Sequence, residues 1–221
     1  MNNNILELKD VWKTYEVGSS TVNALKNFDF TFKEGSFNVI LGPSGSGKST
    51  LIRVAGLLEK PTKGNILINT KDLNLLSENE IASFIRNEIG FIFKNSNLIH
   101  SLTVLENVML HMISSDRKKA KEILQKVGFN EYDKFPEELS FKDHQRVTIA
   151  RSIVNNPSLI LADEPTGELH TKEANEIINL LLDLNKKEKL TIIITTNNRL
   201  LSQFAENLIE INDGETSTKL S

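Results

Sequence analysis

Cysteine is absent from the 221 residues, which excludes disulfides, thiolate catalysis and cysteine–zinc sites and suits a reducing compartment. No apolar run approaches the roughly 20 residues a helix needs to cross a bilayer, so work at a membrane would require a partner to hold the chain there. Met1-Asn2-Asn3-Asn4 carries no basic segment ahead of an apolar one, and no secretory leader is expected. Basic charge is not in excess either. A formal net charge of −3 and an isoelectric point near 5.9 argue against a dedicated nucleic-acid surface. Neither an internal repeat nor a low-complexity linker divides the chain. What remains is a globular composition, 39% hydrophobic and 25% charged, of a length that suits a single α/β domain or a core with a smaller subdomain.

Against that plain background one segment stands out. Gly42-Pro43-Ser44-Gly45-Ser46-Gly47-Lys48-Ser49-Thr50 follows the short apolar run Ser36–Leu41 and precedes the helical run Leu51–Ala55, which leads to Gly56. This is a complete Gly-x-x-x-x-Gly-Lys-Ser in the strand–loop–helix setting the motif requires. Glycines let main-chain N–H groups turn inward around a phosphate, and the helix N-terminus adds partial positive charge. Lys48 is then expected to reach the outer phosphates, and the Ser49 hydroxyl to ligate Mg²⁺. A Gly/Ser-rich turn without a ligand would need none of these features together.

The rest of the chain alternates between strand-like and helix-like segments. Alternation over 5–11 and 24–32 predicts antiparallel strands, with a loop by composition over 15–20. Strands are expected at 64–69, 89–93, 159–162, 191–195 and 207–211. Helices are expected at 78–87, 146–155, 173–185 and, briefly, 200–205. Residues 94–145 read as a helical region, with helical stretches over 104–113 and 117–127. Strand–helix alternation of this kind implies a mainly parallel sheet covered on both faces, with phosphate sites at the carboxyl ends of its strands. The basic run Arg117-Lys118-Lys119-Ala120-Lys121 reads as a solvated helix face, Trp12 as packing or surface, and His100, His111 and His144 lack metal-ligand spacing.

Leu159–Ala162 ends in Asp163 and Glu164. Paired acids at a strand end can be a solvated helix entry. Beside an intact phosphate loop they read instead as the second half of a nucleotide site, with Asp163 opposite Ser49 at Mg²⁺ and Glu164 placed to polarise a water.

With these residues in view the chain resembles the ATP-binding cassette (ABC) ATPase family over nearly its whole length. Tyr15 matches the family's adenine-stacking aromatic. Leu139-Ser140 with Gln145–Arg151 matches the segment around the family signature, and Asp163-Glu164-Pro165-Thr166-Gly167 the region after the acidic strand. Gly90–Phe93, Asn97-Leu98 and Leu102–Val108 look like a subgroup serving lipoprotein release, macrolide and peptide export and cell division. The resemblance implies an α/β P-loop NTPase of ABC type, a single domain over 1–221. Its mainly parallel core sheet would be flanked by helices, with an antiparallel β-subdomain and a helical subdomain near 94–145. It implies ATP and Mg²⁺ as ligands, a second cassette (homo- or heterodimer) and a transmembrane permease as partners, no nucleic acid, and a cytoplasmic position at the inner face of the membrane. Glu164, Lys48, Asn197 and Lys94 would be the catalytic positions. Tyr15, Gly42, Ser44, Gly45, Ser46, Gly47, Lys48, Ser49, Thr50 and Ser140 would bind nucleotide, and Ser49 and Asp163 the metal. Phe91, Phe93, Leu98, Ile99 and Leu102 surround the place where the family docks its membrane partner, and they also suit a core.

Several positions depart from the family pattern. Lys94 stands where a glutamine is expected, Phe141-Lys142-Asp143 where Gly-Gly-Gln is expected, His170 for an aspartate and Asn197 for the switch histidine. Phe141 adds bulk where glycines let amides approach phosphate, Asp143 would repel it, and Lys142 could offer it a charge. Asn197 donates a hydrogen bond without the charge of an imidazolium. Intact ATP binding with slow hydrolysis is the resulting expectation. The alternative is a largely non-hydrolysing cassette serving as regulatory or structural half of a heteromeric complex.

Overall fold

The computed structural model describes residues 4–219; the leader reading at Met1–Asn3 and the extreme ends of a 1–221 domain lie outside them. The first sheet is antiparallel. β1 (Asn4–Val17) and β2 (Ser20–Lys33) form a long hairpin, β4 (Lys63–Ile68) pairs with the other edge of β1, and β5 (Lys71–Asp72) ends the order β2-β1-β4-β5. The loop expected at 15–20 is strand almost throughout. Val17 faces Ser20 across a two-residue turn in which Gly18 takes a φ of 62°. Cross-strand hydrogen bonds outweigh the polar local composition here, because the polar side chains stay exposed on the ribbon.

The second sheet has the order β10-β9-β3-β8-β7-β6. It is built from β3 (Phe37–Leu41), β6 (Ile89–Phe93), β7 (Leu159–Asp163), β8 (Thr191–Thr196), β9 (Asn207–Asn212) and β10 (Glu215–Lys219). β9 through β6 are parallel, and β10 closes the edge antiparallel. Every residue of β3 and β8 is buried, as expected when helices and a second sheet cover both faces. Successive residues alternate between two cores. Val39, Ile160 and Ile192 face the helical side, where they join Val104, Leu124 and Ile177. Ile40, Leu161 and Ile193 face the antiparallel sheet and the helix α1 (Lys48–Ala55).

Helix starts follow their capping residues. α2 (Glu78–Glu88) begins at a Ser77/Glu80 capping box and α3 (Val104–Met109) at Thr103/Glu106, while Asp116 caps α4 (Arg117–Lys126). α5 (Phe141–Ile153) begins five residues before the expected Arg146 because the Ser140 hydroxyl accepts from the Asp143 N–H. α3 stops short of Ile113. The Asn155 side chain accepts from the Ile113 N–H and donates to the His111 carbonyl, drawing the chain off the helix axis. α6 (Thr171–Glu188) is longer than its apolar pattern suggests, and the short helix expected at 200–205 is a 3-10 turn over Arg199–Phe204. In α4 the basic run is a solvated face, with Ala120, Ile123 and Leu124 turned inward. No helix among the described residues is long and apolar enough to cross a membrane.

This topology decides where chemistry can occur. The carboxyl ends of the parallel strands β3, β6, β7 and β8 open on one edge, so Gly42, Lys94, Asp163 and Asn197 all emerge there.

Candidate functional site

The loop after β3 wraps toward α1. Gly47 is the N-cap of α1 at a φ of 101°, and no side chain caps this helix. A methyl group at Gly47 would run into the carbonyl oxygen of Ala24 on β2, so the antiparallel sheet presses the loop into its curve. The first amides of a helix lack intrahelical partners, and leaving them without a side-chain cap suits an anionic ligand. Ser46 supports the same reading, because its hydroxyl is buried with no partner in the protein. Lys48 is 4% exposed and donates to the carbonyls of Gly42 (3.0 Å) and Pro43 (2.8 Å). Its ammonium also lies 3.5 Å from Glu164 Oε1.

β7 delivers the acids. The Asp163 carboxylate accepts from the Thr195 hydroxyl at 2.7 Å, and the Glu164 N–H donates to the Thr195 carbonyl at 3.0 Å. Thr195 on β8 therefore holds both acids in place. Thr195 carries no motif, and β8 buries Thr191 and Thr196 as well, so a threonine in this strand does not by itself mark the site. Ser44, Gly45, Gly47, Lys48, Ser49 and Thr50 line one cavity of about 310 Å³ together with Lys94, Asp163 and Glu164. Ser49 and Asp163 present hard oxygens to it, the donor type Mg²⁺ takes alongside phosphate and water. No cluster of three or more His, Asp or Glu suited to a metal occurs among the described residues.

Tyr15 lies near the tip of the hairpin and is tied to α1 and the loop after it. Its hydroxyl donates to Glu59 Oε2 at 2.5 Å, and Thr50 is close enough to share the phenol oxygen. Lys13 sits 5.1 Å from the centre of the Tyr15 ring and 3.4 Å from Glu59, which Arg53 also approaches. Burial, reinforced by the Glu59 carboxylate, raises the Tyr15 phenol above its ordinary 10.0. Burial alone would raise Glu59 too, yet Tyr15, Lys13 and Arg53 outweigh it and hold the carboxyl below its usual range. Glu59 carried no motif and was invisible to sequence reasoning.

Two expected residues lie elsewhere. Asn197 lines a neighbouring depression with Gly42, Pro43 and Glu210 and not the cavity that Glu164 lines. Ser140, with the signature segment, is in the helical region outside the phosphate-loop cavity. Its hydroxyl donates to Asp143 Oδ2 at 2.6 Å, so Asp143 takes up the donor that the family pattern would offer to a partner's phosphate. Lys142 corrects an expectation. Its ammonium donates to Glu176 of α6 at 3.0 Å, and Arg146 flanks the same carboxylate, so its charge is committed inside the chain. Phe141 stands 66% exposed beside them. The apolar residues in and after β6 also divide. Leu98 is core, whereas Phe91 and Phe93 stack with ring centres 5.6 Å apart and line a groove with Leu58 and Leu110.

Comparison with known proteins agrees with this geometry. The sequence pattern of the ABC transporter family matches residues 25–167. An uncharacterized ABC transporter ATP-binding protein of Methanocaldococcus jannaschii, MJ1508, is 43% identical over 218 residues, 96% of this chain and 97% of that protein. The macrolide export ATP-binding/permease protein MacB of Bdellovibrio bacteriovorus is 41% identical over 95% of this chain, which spans 33% of that longer protein. The dimeric, post-hydrolysis structure of the cassette MJ0796, bound to ADP and Pi, has a TM-score of 0.91 at 39% identity and 98% coverage of both chains. MJ0796 is also a Methanocaldococcus jannaschii protein.

Proposed function

This chain belongs to the ABC transporter family, a family of ATPases, and from that premise we propose that it is the ATP-binding and ATP-hydrolysing subunit of a membrane transporter or membrane-protein machine. The observation that carries the proposal is the convergence of Lys48, Ser49, Asp163 and Glu164 on one cavity beside an uncapped helix N-terminus. In this reading the loop amides and Lys48 hold the phosphates, Ser49 and Asp163 hold Mg²⁺, and Tyr15 carries the adenine. Held by Ser49 and Asp163, Mg²⁺ would supply positive charge to the phosphates. Glu164 accepts a proton from the attacking water, and Thr195 keeps Glu164 and Asp163 in register for it. One domain over 1–221, with its helical part near 94–145, pairs with a second cassette. Ser140 and Asn197 act at the closed interface of the pair.

The dimeric MJ0796 structures and the fused permease of MacB support a second cassette and a transmembrane partner. We place the partner's contact on the groove of Phe91, Phe93, Leu58 and Leu110, and the protein at the cytoplasmic face of the membrane. Hydrolysis is slow, because Asp143 holds the Ser140 hydroxyl and Lys142 is held by Glu176. Phosphate release by the purified chain with Mg-ATP, over a range of protein concentrations, tests this function. Turnover per chain that rises with concentration supports a working pair. ATP binding with no turnover at any concentration instead assigns the chain to a heteromeric half.

A second test addresses Tyr15. Glu59→Gln weakens its clamp on the phenol, and the expected result is ATP affinity lower by about threefold to tenfold, one charge-assisted hydrogen bond partly lost. Tripolyphosphate, which has no base, should bind as before. Equal losses for both ligands in a competition assay refute a role at the base.

A further inference from the structure

We propose that Lys94 is a direct ligand of the terminal phosphate and that it lets this cassette distinguish ATP from ADP without a divalent cation. The proposal rests on the nucleotide-binding reading above and deepens it.

Four observations place the ammonium. Lys94 follows β6, whose register sets Phe93 opposite Asp163, so Lys94 emerges beside Glu164. It lines the same cavity as Lys48, Ser49 and the two acids. Its main chain is pinned, because the Gln145 side-chain amide donates to the carbonyls of Phe93 (3.2 Å) and Lys94 (3.0 Å). Gln145 is only 5% exposed, so the pin is set within the packed start of α5. The stem of Lys94 then runs over Gly167, where an added methyl carbon would lie 3.2 Å from Cε and 3.3 Å from Cδ.

The charge is also uncommitted. Among the described residues Lys94 forms no ion pair and no side-chain hydrogen bond. The nearby acids have other partners, Asp163 in the Thr195 hydroxyl and Glu164 in the Lys48 ammonium. Lys48 and Lys94 together balance the two acids. A neutral side chain at 94 would leave the cavity wall one negative charge in excess while it faces a polyanion, and a divalent ion would have to supply the missing attraction. An ammonium on a flexible stem meets phosphate as a point charge. ADP ends one phosphate short of that contact.

Equilibrium binding of ATP and ADP, measured once in EDTA and once with Mg²⁺, tests the assignment and needs no turnover. In EDTA the wild-type chain should bind ATP about tenfold or more tighter than ADP, as a charge-assisted contact to one phosphate predicts. Lys94→Gln should reduce that preference to about threefold or less in EDTA and recover it when Mg²⁺ is added, while Lys94→Arg retains it. Equal binding of ATP and ADP by the wild type in EDTA, or an undiminished preference in Lys94→Gln, overturns the role of Lys94. Failure of the wild type to bind either nucleotide even with Mg²⁺ overturns the cassette reading itself. Lys94 is exposed, so its variants are expected to fold, and thermal melting of each provides the control.

Discussion

Glu164→Gln is expected to lower phosphate release by a factor on the order of 10²–10⁴, the usual contribution of a positioned general base, while ATP still binds. The geometry separates the two effects. Glutamine has the shape of glutamate and keeps an oxygen for the Lys48 ammonium, which lies 3.5 Å from Glu164 Oε1. The backbone at 164 is held independently of the side chain, since its N–H donates to the Thr195 carbonyl at 3.0 Å. Lys48 retains its bonds to Gly42 and Pro43, so the phosphate loop keeps its form. The lost property is the ability to take a proton from water. Loss of the negative charge should, if anything, favour a bound polyanion. Steady-state phosphate release and equilibrium ATP binding on the same preparation are the measurements. A variant that turns over at more than a third of the wild-type rate would remove Glu164 from the chemistry. One that loses ATP binding as well would make Glu164 a structural residue of the loop.

The second large effect is expected at Gly47. Gly47→Ala should weaken ATP binding by about 100-fold or more and destabilise the chain by about 2–4 kcal/mol, from backbone strain and a steric clash together. The residue sits at a φ of 101°, a conformation open to glycine and costly for alanine. The added methyl also meets the Ala24 carbonyl, which belongs to the opposite sheet and cannot swing away as a flexible side chain would. The cheapest relief is to move the loop away from Ala24, and that displaces the amides at the start of α1. Gly18→Ala is the matched control. Gly18 also has a positive φ, at 62°, but nothing lies within 4 Å of its added carbon, so a cost of only about 1 kcal/mol and unchanged ATP binding are expected. Urea unfolding and ATP titration of the two variants provide the comparison. Similar losses in both would show that backbone strain alone, without the Ala24 contact, sets the loop.

Much of the site could be read in the chain because it is built from contiguous residues. Gly42–Thr50 form one turn and one helix start, so their residue types and spacing suffice to indicate a phosphate cradle. Asp163 and Glu164 were legible for a similar reason, as polar residues ending a buried apolar strand. Elsewhere the local signal was weaker than the long-range pairing. Residues 15–20 look like a loop by composition, yet β1 and β2 pair through them. The start of α5 was missed because Phe141-Lys142-Asp143 has no helical periodicity, and its register comes from the Ser140 cap.

The sequence by itself determined that this chain has a phosphate loop, an acidic strand end and the strand–helix alternation of a parallel sheet, because each is written in neighbours within a few residues. Only the tertiary structure decided which charges meet. It gave Lys142 to Glu176 rather than to a phosphate, clamped Tyr15 to Glu59, and left Lys94 without a partner among the described residues in the cavity of Lys48 and Glu164. These partners lie far apart in the chain. The order of strands in the sheet and the packing of α5 and α6 bring them within reach, and Coulomb and hydrogen-bond energies select partners at a few ångströms whatever their separation in sequence.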